Sequence, residues 1–181
     1  MKIGNKEFDT AKHTYIMGIL NVTPDSFSDG GKYTTLDKAL KHTEQMIQEG
    51  ADIIDIGGES TRPGHTLISD EEEISRVVPV IEAVKQQFDI PVSIDTYKSA
   101  VAQAAILAGA DLVNDVWGLK YDEKLAKVIS GAKVPCCLMH NRKAADYEHF
   151  MTDCLNDLRE TLAIARTAGI EDEQIILDPG V

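Results

Sequence analysis

Six short apolar runs in this chain end in, or lead straight into, a side chain that can hydrogen-bond or ionise: Asn21, Glu59, Asp95, Asn114, His140 and Asp178. In an extended chain every second residue shares a face. Ser93 therefore sits with Asp95, Leu112 with Asn114, and Ile176 with Asp178. If that face looks into one interior, Asp95, Asn114 and Asp178 meet there. A carboxylate accepts two parallel N–H donors well, and an asparagine amide both donates and accepts. Together they suit a flat, amide-rich heterocycle. The competing reading is local, because Asp and Asn also cap helices and turns.

Two loops add a second kind of chemistry. The stretch GGESTRPGH, from Gly57 to His65, carries the hydroxyls of Ser60 and Thr61, the guanidinium of Arg62, and glycine-flanked backbone N–H groups. These are the parts of an anion clamp. Arg62 is the candidate for a diphosphate, since its fork matches phosphate oxygens; standing alone it would read as a surface arginine beside a Pro-Gly turn. The stretch ILNVTPDSFSDGG, from Ile19 to Gly31, ends its apolar run at Asn21. Asn21 offers an oxygen to Mg²⁺, a hard cation that shares phosphate oxygens and keeps several waters. Phe27 could close over an aromatic substrate or tuck under its own loop, and Gly30 and Gly31 permit hinge motion.

Something must hold these tips together. The runs TYIMGIL, DIIDIGG, PVSIDT, DLVNDV, PCCLMHN and IILDPG are continuous rather than alternating, as strands buried on both faces should be. Helical patterns lie between them: Leu36–Glu49, Asp70–Phe88 with acidic residues in its first turn, Lys98–Ala108 before Gly109, Tyr121–Ser130 before Gly131, and Ala145–Ala168 before Gly169. Strand and helix alternate, which predicts an α/β fold with a parallel sheet and right-handed crossovers. The opening MKIGNKEF reads as a small hairpin turning at Gly4–Asn5, placed to cover the bottom of a barrel.

An open doubly wound sheet and a (β/α)8 barrel both fit that order. No G-x-G-x-x-G turn follows the first strand, which weakens the dinucleotide reading. A barrel gathers all six polar tips into one pocket at its strand C-termini. Barrels run to about 250 residues and eight strands, so a chain of 181 residues that stops at Val181 is expected to be a barrel truncated after its sixth strand. No Pro/Ser-rich linker divides it, and residues 1–181 read as a single domain.

The composition, 43% hydrophobic and 27% charged, suits one globular core. A net charge of −12 argues against nucleic acid, and it also sits awkwardly with an anionic small substrate. No run approaches the roughly 20 apolar residues of a membrane span, and the N-terminus has no apolar signal core. Cys136, Cys137 and Cys154 are odd in number without metal-type spacing, so they read as reduced thiols of a cytoplasmic protein, the first two packed in the core.

GILNVTPDSFSDGG and DIIDIGGESTRPG resemble the two signature segments of the dihydropteroate synthase family, and SIDT, VNDV, MH and LDPG follow in that family's order. The resemblance covers the whole chain. It implies a TIM barrel of the folate pathway that joins 4-aminobenzoate to 6-hydroxymethyl-7,8-dihydropterin diphosphate, with Mg²⁺, and releases pyrophosphate. It further implies that Asp95, Asn114 and Asp178 hold the pterin ring and that Met139 lines its pocket. Asn21 would bind Mg²⁺ with the diphosphate, which Thr61 and Arg62 contact. Asp25 belongs to the mobile first loop, and Phe27 and Pro63 pack on the aminobenzoate. Asp25, Arg62 and Asp95 are the catalytic candidates. Members often read Met-His-Met at the fifth strand, where this chain has Asn141. The family's glycine-rich sixth loop, pterin-side lysine and Ser-x-Arg-x-His segment do not occur here. Those basic groups would balance an anionic substrate, so this chain alone is expected to be weak or inactive. The full-length family is expected to be homodimeric. A methyltetrahydrofolate-binding barrel of a corrinoid methyltransferase would share the pterin-holding residues, but it has no diphosphate to clamp; TPDSF and ESTRPG favour the synthase. A non-catalytic fragment is the third reading.

Overall fold

A computed structural model describes residues 1–23, 32–59 and 67–180, without the side chains of residues 32–35. Strands β1 (Lys2–Ile3) and β2 (Lys6–Glu7) pair as an antiparallel hairpin. Then come β3 (Met17–Asn21), α1 (Lys32–Gln48), β4 (Ile53–Gly57), α2 (Asp70–Gln87), β5 (Val92–Asp95), α3 (Ser99–Leu107), β6 (Leu112–Asp115), α4 (Leu125–Ala132), β7 (Cys136–Met139), α5 (Phe150–Ala168) and β8 (Ile175–Asp178). The six later strands form one parallel sheet in the order β3-β4-β5-β6-β7-β8. This is the expected α/β plan: six consecutive strand units of a (β/α)8 barrel behind an N-terminal hairpin.

The sheet has two differently packed faces. Ile54, Ile56, Val92, Ile94, Val113, Cys136 and Leu138 are buried against the helices, meeting Val77, Ile81 and Val84 of α2 and Val101, Ala102 and Ala105 of α3. The opposite face is the barrel interior. At its lower end Ile53 and Leu112 pack with Met17, Cys137 and Ile176 around Ile3 and Phe8, so the hairpin forms a floor. Strand β4 is buried throughout, as its apolar run predicts. Strands β3 and β8 are not, because each pairs with one neighbour only; Ile19 is 64% exposed and Leu177 40%.

The helices follow their end signals with three corrections. Helix α2 begins where expected: Ser69 accepts the Glu72 N–H, and four acidic residues fill the first turn. Helix α1 starts at Lys32, four residues before Leu36. Helix α4 starts at Leu125 rather than Tyr121, because Asp122 turns the chain by accepting the N–H groups of Lys124 and Ser99. It runs through Gly131, and Lys133 caps it with φ 55°. Helix α5 starts at Phe150 rather than Ala145, where Asp153 accepts the N–H groups of Glu148 and His149 and closes the first turn from inside.

The hairpin turn requires glycine. Gly4 has φ 59°, and a Cβ there would lie 2.7 Å from Asp111 Oδ1. Asp111 is itself committed, accepting from Lys85 Nζ at 2.7 Å and from the Val92 N–H at 2.9 Å. Gly4→Ala is expected to cost about 1–3 kcal/mol. Urea denaturation would show a lower midpoint with an unchanged slope.

Candidate functional site

Backbone register aligns the strand tips. Asn21 pairs with Gly57, Gly57 with Asp95, and Asp95 with Asn114. One step lower, Asp55 pairs with Ser93. All belong to the interior face by alternation from Met17, Ile53 and Leu112, which pack on the floor.

Gly57 matters because it has no side chain. A Cβ on it would lie 3.3 Å from Asp95 Oδ2 and 3.5 Å from Asn21 Oδ1. The carboxylate and the amide thus flank one open position from the two neighbouring strands. On the other side, Asn114 Nδ2 reaches across β5 and donates to Asp55 Oδ2 at 3.0 Å, which fixes how the amide faces the interior. Three buried polar atoms in this patch, Asp55 Oδ1, Ser93 Oγ and Asp95 Oδ1, have no hydrogen-bond partner among the described residues. Such atoms are costly to bury and point to a polar ligand.

The electrostatics are unusual for carboxylates. Burial pushes Asp95 from its ordinary 3.8 up to about 8, helped by the negative fields of Asp55, Glu73, Asp115 and Glu59. Burial also raises Asp55, and the polarity of Ser93 and Asn114 opposes it. A ligand that brings N–H donors or positive charge would draw protons off this pair.

Met139 and Asp178 pair in register on β7 and β8. Asp178 shares its face with Ile176, which packs on the floor. Its Oδ1 also accepts the Gly180 N–H at 2.8 Å, so at this residue the turn-capping reading holds.

Two tips leave the pocket, which corrects the expectation that all six converge. Glu59 turns toward the helices, where it meets Lys98 and Tyr97. His140 is buried with its Nε2 3.0 Å from Asp157 Oδ2, and Arg142 holds the same carboxylate at 2.6 Å. Asp25, Phe27, Ser60, Thr61, Arg62 and Pro63 lie outside the described residues.

Asp55 and Ser93 are functional candidates that the strand-end pattern overlooks. A charge inside the apolar run Ile53-Ile54-Asp55-Ile56 was the available signal. Asp115, wholly buried, is spent on structure: it accepts the N–H groups of Trp117 at 2.8 Å and Leu119 at 2.6 Å and shapes the loop after β6.

Cys136 and Cys137 lie on opposite faces of β7, and burial pushes both thiols up to about 12. No helix among the described residues is long and apolar enough to cross a membrane.

Residues 17–181 match the family model described as pterin binding enzyme. The chain is 64% identical over 181 residues to a dihydropteroate synthase of Clostridium beijerinckii, covering all of this chain and 67% of that protein. It is 56% identical over 168 residues to one of Bacillus subtilis, covering 93% and 59%. Among solved structures, a dihydropteroate synthase from Clostridium difficile, crystallised with pteroic acid, superposes with a TM-score of 0.94 at 50% identity, over 97% of this chain and 67% of that one. One from Xanthomonas albilineans with 4-aminobenzoic acid gives 0.86 at 44% identity, over 92% and 61%. The chain therefore spans about two thirds of the length of these relatives.

Proposed function

Because this chain belongs to the pterin binding enzyme family, we propose that it supplies the pterin and diphosphate sites of a dihydropteroate synthase. The reaction joins 6-hydroxymethyl-7,8-dihydropterin diphosphate to 4-aminobenzoate and releases pyrophosphate. The observation that carries this reading is the juxtaposition of Asp95 and Asn114 on paired strands, with Asp55 bracing the amide from below.

Asp95 and Asp178 accept N–H groups of the pterin ring, and Asn114 matches both its donors and acceptors. Met139 lines the same pocket. Holding the ring edge-on aims its methylene at the strand tips, toward Asn21. Electron donation from the ring lets the bond to the diphosphate break early. The amine of 4-aminobenzoate then attacks a carbon already placed for it, so placement supplies most of the acceleration. Thr61 and Arg62 receive the departing charge. Phe27 and Pro63 pack on the aminobenzoate, and Asp25 acts in the first loop.

The donors present fit Mg²⁺: Asn21 would offer it an exposed oxygen at the rim, with Asp95 Oδ2 across Gly57. No cluster of three His, Cys, Asp or Glu that could hold a metal occurs among the described residues, so the ion would share phosphate oxygens and water. When bound it supplies charge neutralisation at the diphosphate. We further read a cytoplasmic protein, homodimeric at full length, without nucleic acid or membrane partners.

A coupled pyrophosphate-release assay tests the proposal, run with and without 4-aminobenzoate and Mg²⁺. It should be applied to this chain and to the chain extended to its relatives' length. Release by the longer protein that depends on both additions is expected, with weak or no release by the 181-residue chain. No release by the longer protein would sink the reading.

A further inference from the structure

His140 follows β7 directly, and the mechanism above gives it no task. Its side chain is 5% exposed, and Nε2 lies 3.0 Å from Asp157 Oδ2 of α5. Arg142 grips the same carboxylate twice: Nε donates to Oδ2 at 2.6 Å and Nη2 to Oδ1 at 3.3 Å. Arg142 also donates through Nη1 to the Asp146 carbonyl at 3.0 Å, and its guanidinium lies over the Tyr147 ring at 4.4 Å. The guanidinium, with the imidazole beside it, holds Asp157 below the ordinary carboxylate range. An ionised carboxylate only accepts, so the proton in this contact belongs to Nε2, and the orientation of the ring is set.

The backbone of the same residue holds the tip of β8. The His140 N–H donates to the Asp178 carbonyl at 2.8 Å, one step past the last register pair, Met139 with Asp178. Gly180, with φ 74°, lies against the His140 carbonyl, and a Cβ on it would collide with that oxygen. The Gly180 N–H in turn donates to Asp178 Oδ1 at 2.8 Å. The turn 178–180 is therefore folded against the main chain of His140, and the direction of the Asp178 carboxylate follows from where that main chain lies. Oδ1 is spent on the turn; Oδ2 makes no hydrogen bond among the described residues.

Anchoring α5 is a poor explanation for the imidazole. Arg142 alone meets both oxygens of Asp157, and the helix is already buried at Thr161 and Ala165. What the imidazole adds is a rigid link from α5 to the main chain that carries the Asp178 turn. We propose that His140 is a positioning residue: held by Asp157 and Arg142, it fixes the turn 178–180 and so aims the Asp178 carboxylate at the N–H donors of the pterin ring. This rests on the synthase reading, in which Asp178 accepts from that ring.

The test is a double-mutant cycle on the full-length protein, with binding of 6-hydroxymethylpterin read by calorimetry. His140→Phe keeps the ring's bulk, removes its N–H and leaves Asp157 to Arg142. It is expected to weaken pterin binding by about 10-fold. His140→Gln, whose amide can donate to Asp157 as Nε2 does, should recover most of the loss. In an Asp178→Asn background, His140→Phe should cost less than about twofold more, because the carboxylate it aims is gone. If Asp178→Asn binds too weakly to measure, Gly180→Ala, which pushes the same turn off the His140 carbonyl, takes its place with the same expectation. If His140→Phe fails to fold, Asp157→Asn loosens the same link and should show the same dependence on Asp178 in smaller measure. Unchanged binding, or a loss that multiplies in full with that of the turn variant, overturns the proposal. A wild-type protein that does not bind the pterin overturns the synthase reading instead.

Discussion

Replacing Asp95 by asparagine is expected to give a protein that resists unfolding better than its parent at pH 8 and makes almost no product. Folded Asp95 holds its proton up to about pH 8, against 3.8 for an ordinary aspartate. Between roughly pH 4 and 8 the native chain carries a proton that the unfolded chain has released. Stability therefore falls as pH rises through that window, by about 1.4 kcal/mol for each unit of separation at the upper end. Asparagine does not titrate, so Asp95→Asn removes this slope. Melting temperatures at pH 5 and pH 8 should diverge less in the variant than in the parent; Asp55 and Asp115, also raised by burial, leave a common slope in both. The activity change runs the other way. An amide cannot accept two parallel N–H donors, one on each terminal atom, and losing one preorganised contact of this kind costs about 10²–10³-fold in turnover. An Asp95→Asn variant with parental kcat/KM would remove this residue from the site.

Asn114→Ala carries the second large effect. It deletes the amide proposed to face the pterin and also the donor to Asp55 Oδ2, whose partner atom Oδ1 already lacks a hydrogen bond among the described residues. Turnover should fall by about 10²-fold or more. Stability should fall by about 1–3 kcal/mol, since a buried carboxylate is left without its partner. Losing the donor lifts the folded Asp55 pKa further above its unfolded value, so the penalty must grow with pH and shrink in acid, where Asp55 is protonated in both states. A double variant with Asp55→Asn separates the effects. The stability cost should be largely recovered and the activity not. Independent, additive costs would mean that Asp55 does not brace the amide.

Much of this was readable beforehand because period and punctuation are local properties. The six apolar runs became the six parallel strands, and Gly4–Asn5 became the turn of the hairpin floor. Asp95 and Asn114 were legible as strand tips because alternation fixes a face once one neighbour is known to be inside. Failures came where a side chain chose a partner that strand and helix periods do not specify. Asp122 and Asp153 moved the starts of α4 and α5 by binding backbone N–H groups, a choice that helix periodicity does not encode. Glu59 and His140 end apolar runs just as Asp95 does, yet Lys98 and Asp157 draw them toward the helices. Asp55 was hidden by its position: only a three-dimensional neighbour, Asn114, separates a candidate site residue from an oddity within a strand.

Adjacent thiols on β7 turn the sheet into its own reporter. Cys136 faces the helices and Cys137 the interior, and with both pushed up to about 12 almost no thiolate exists at pH 8 while the fold is closed. Opening returns each to the ordinary range of about 8.5, where alkylating reagents attack quickly. Pulse labelling with iodoacetamide, read by peptide mass, would therefore time two events in one experiment: detachment of the helical layer at one sulfur, and exposure of the barrel interior at the next.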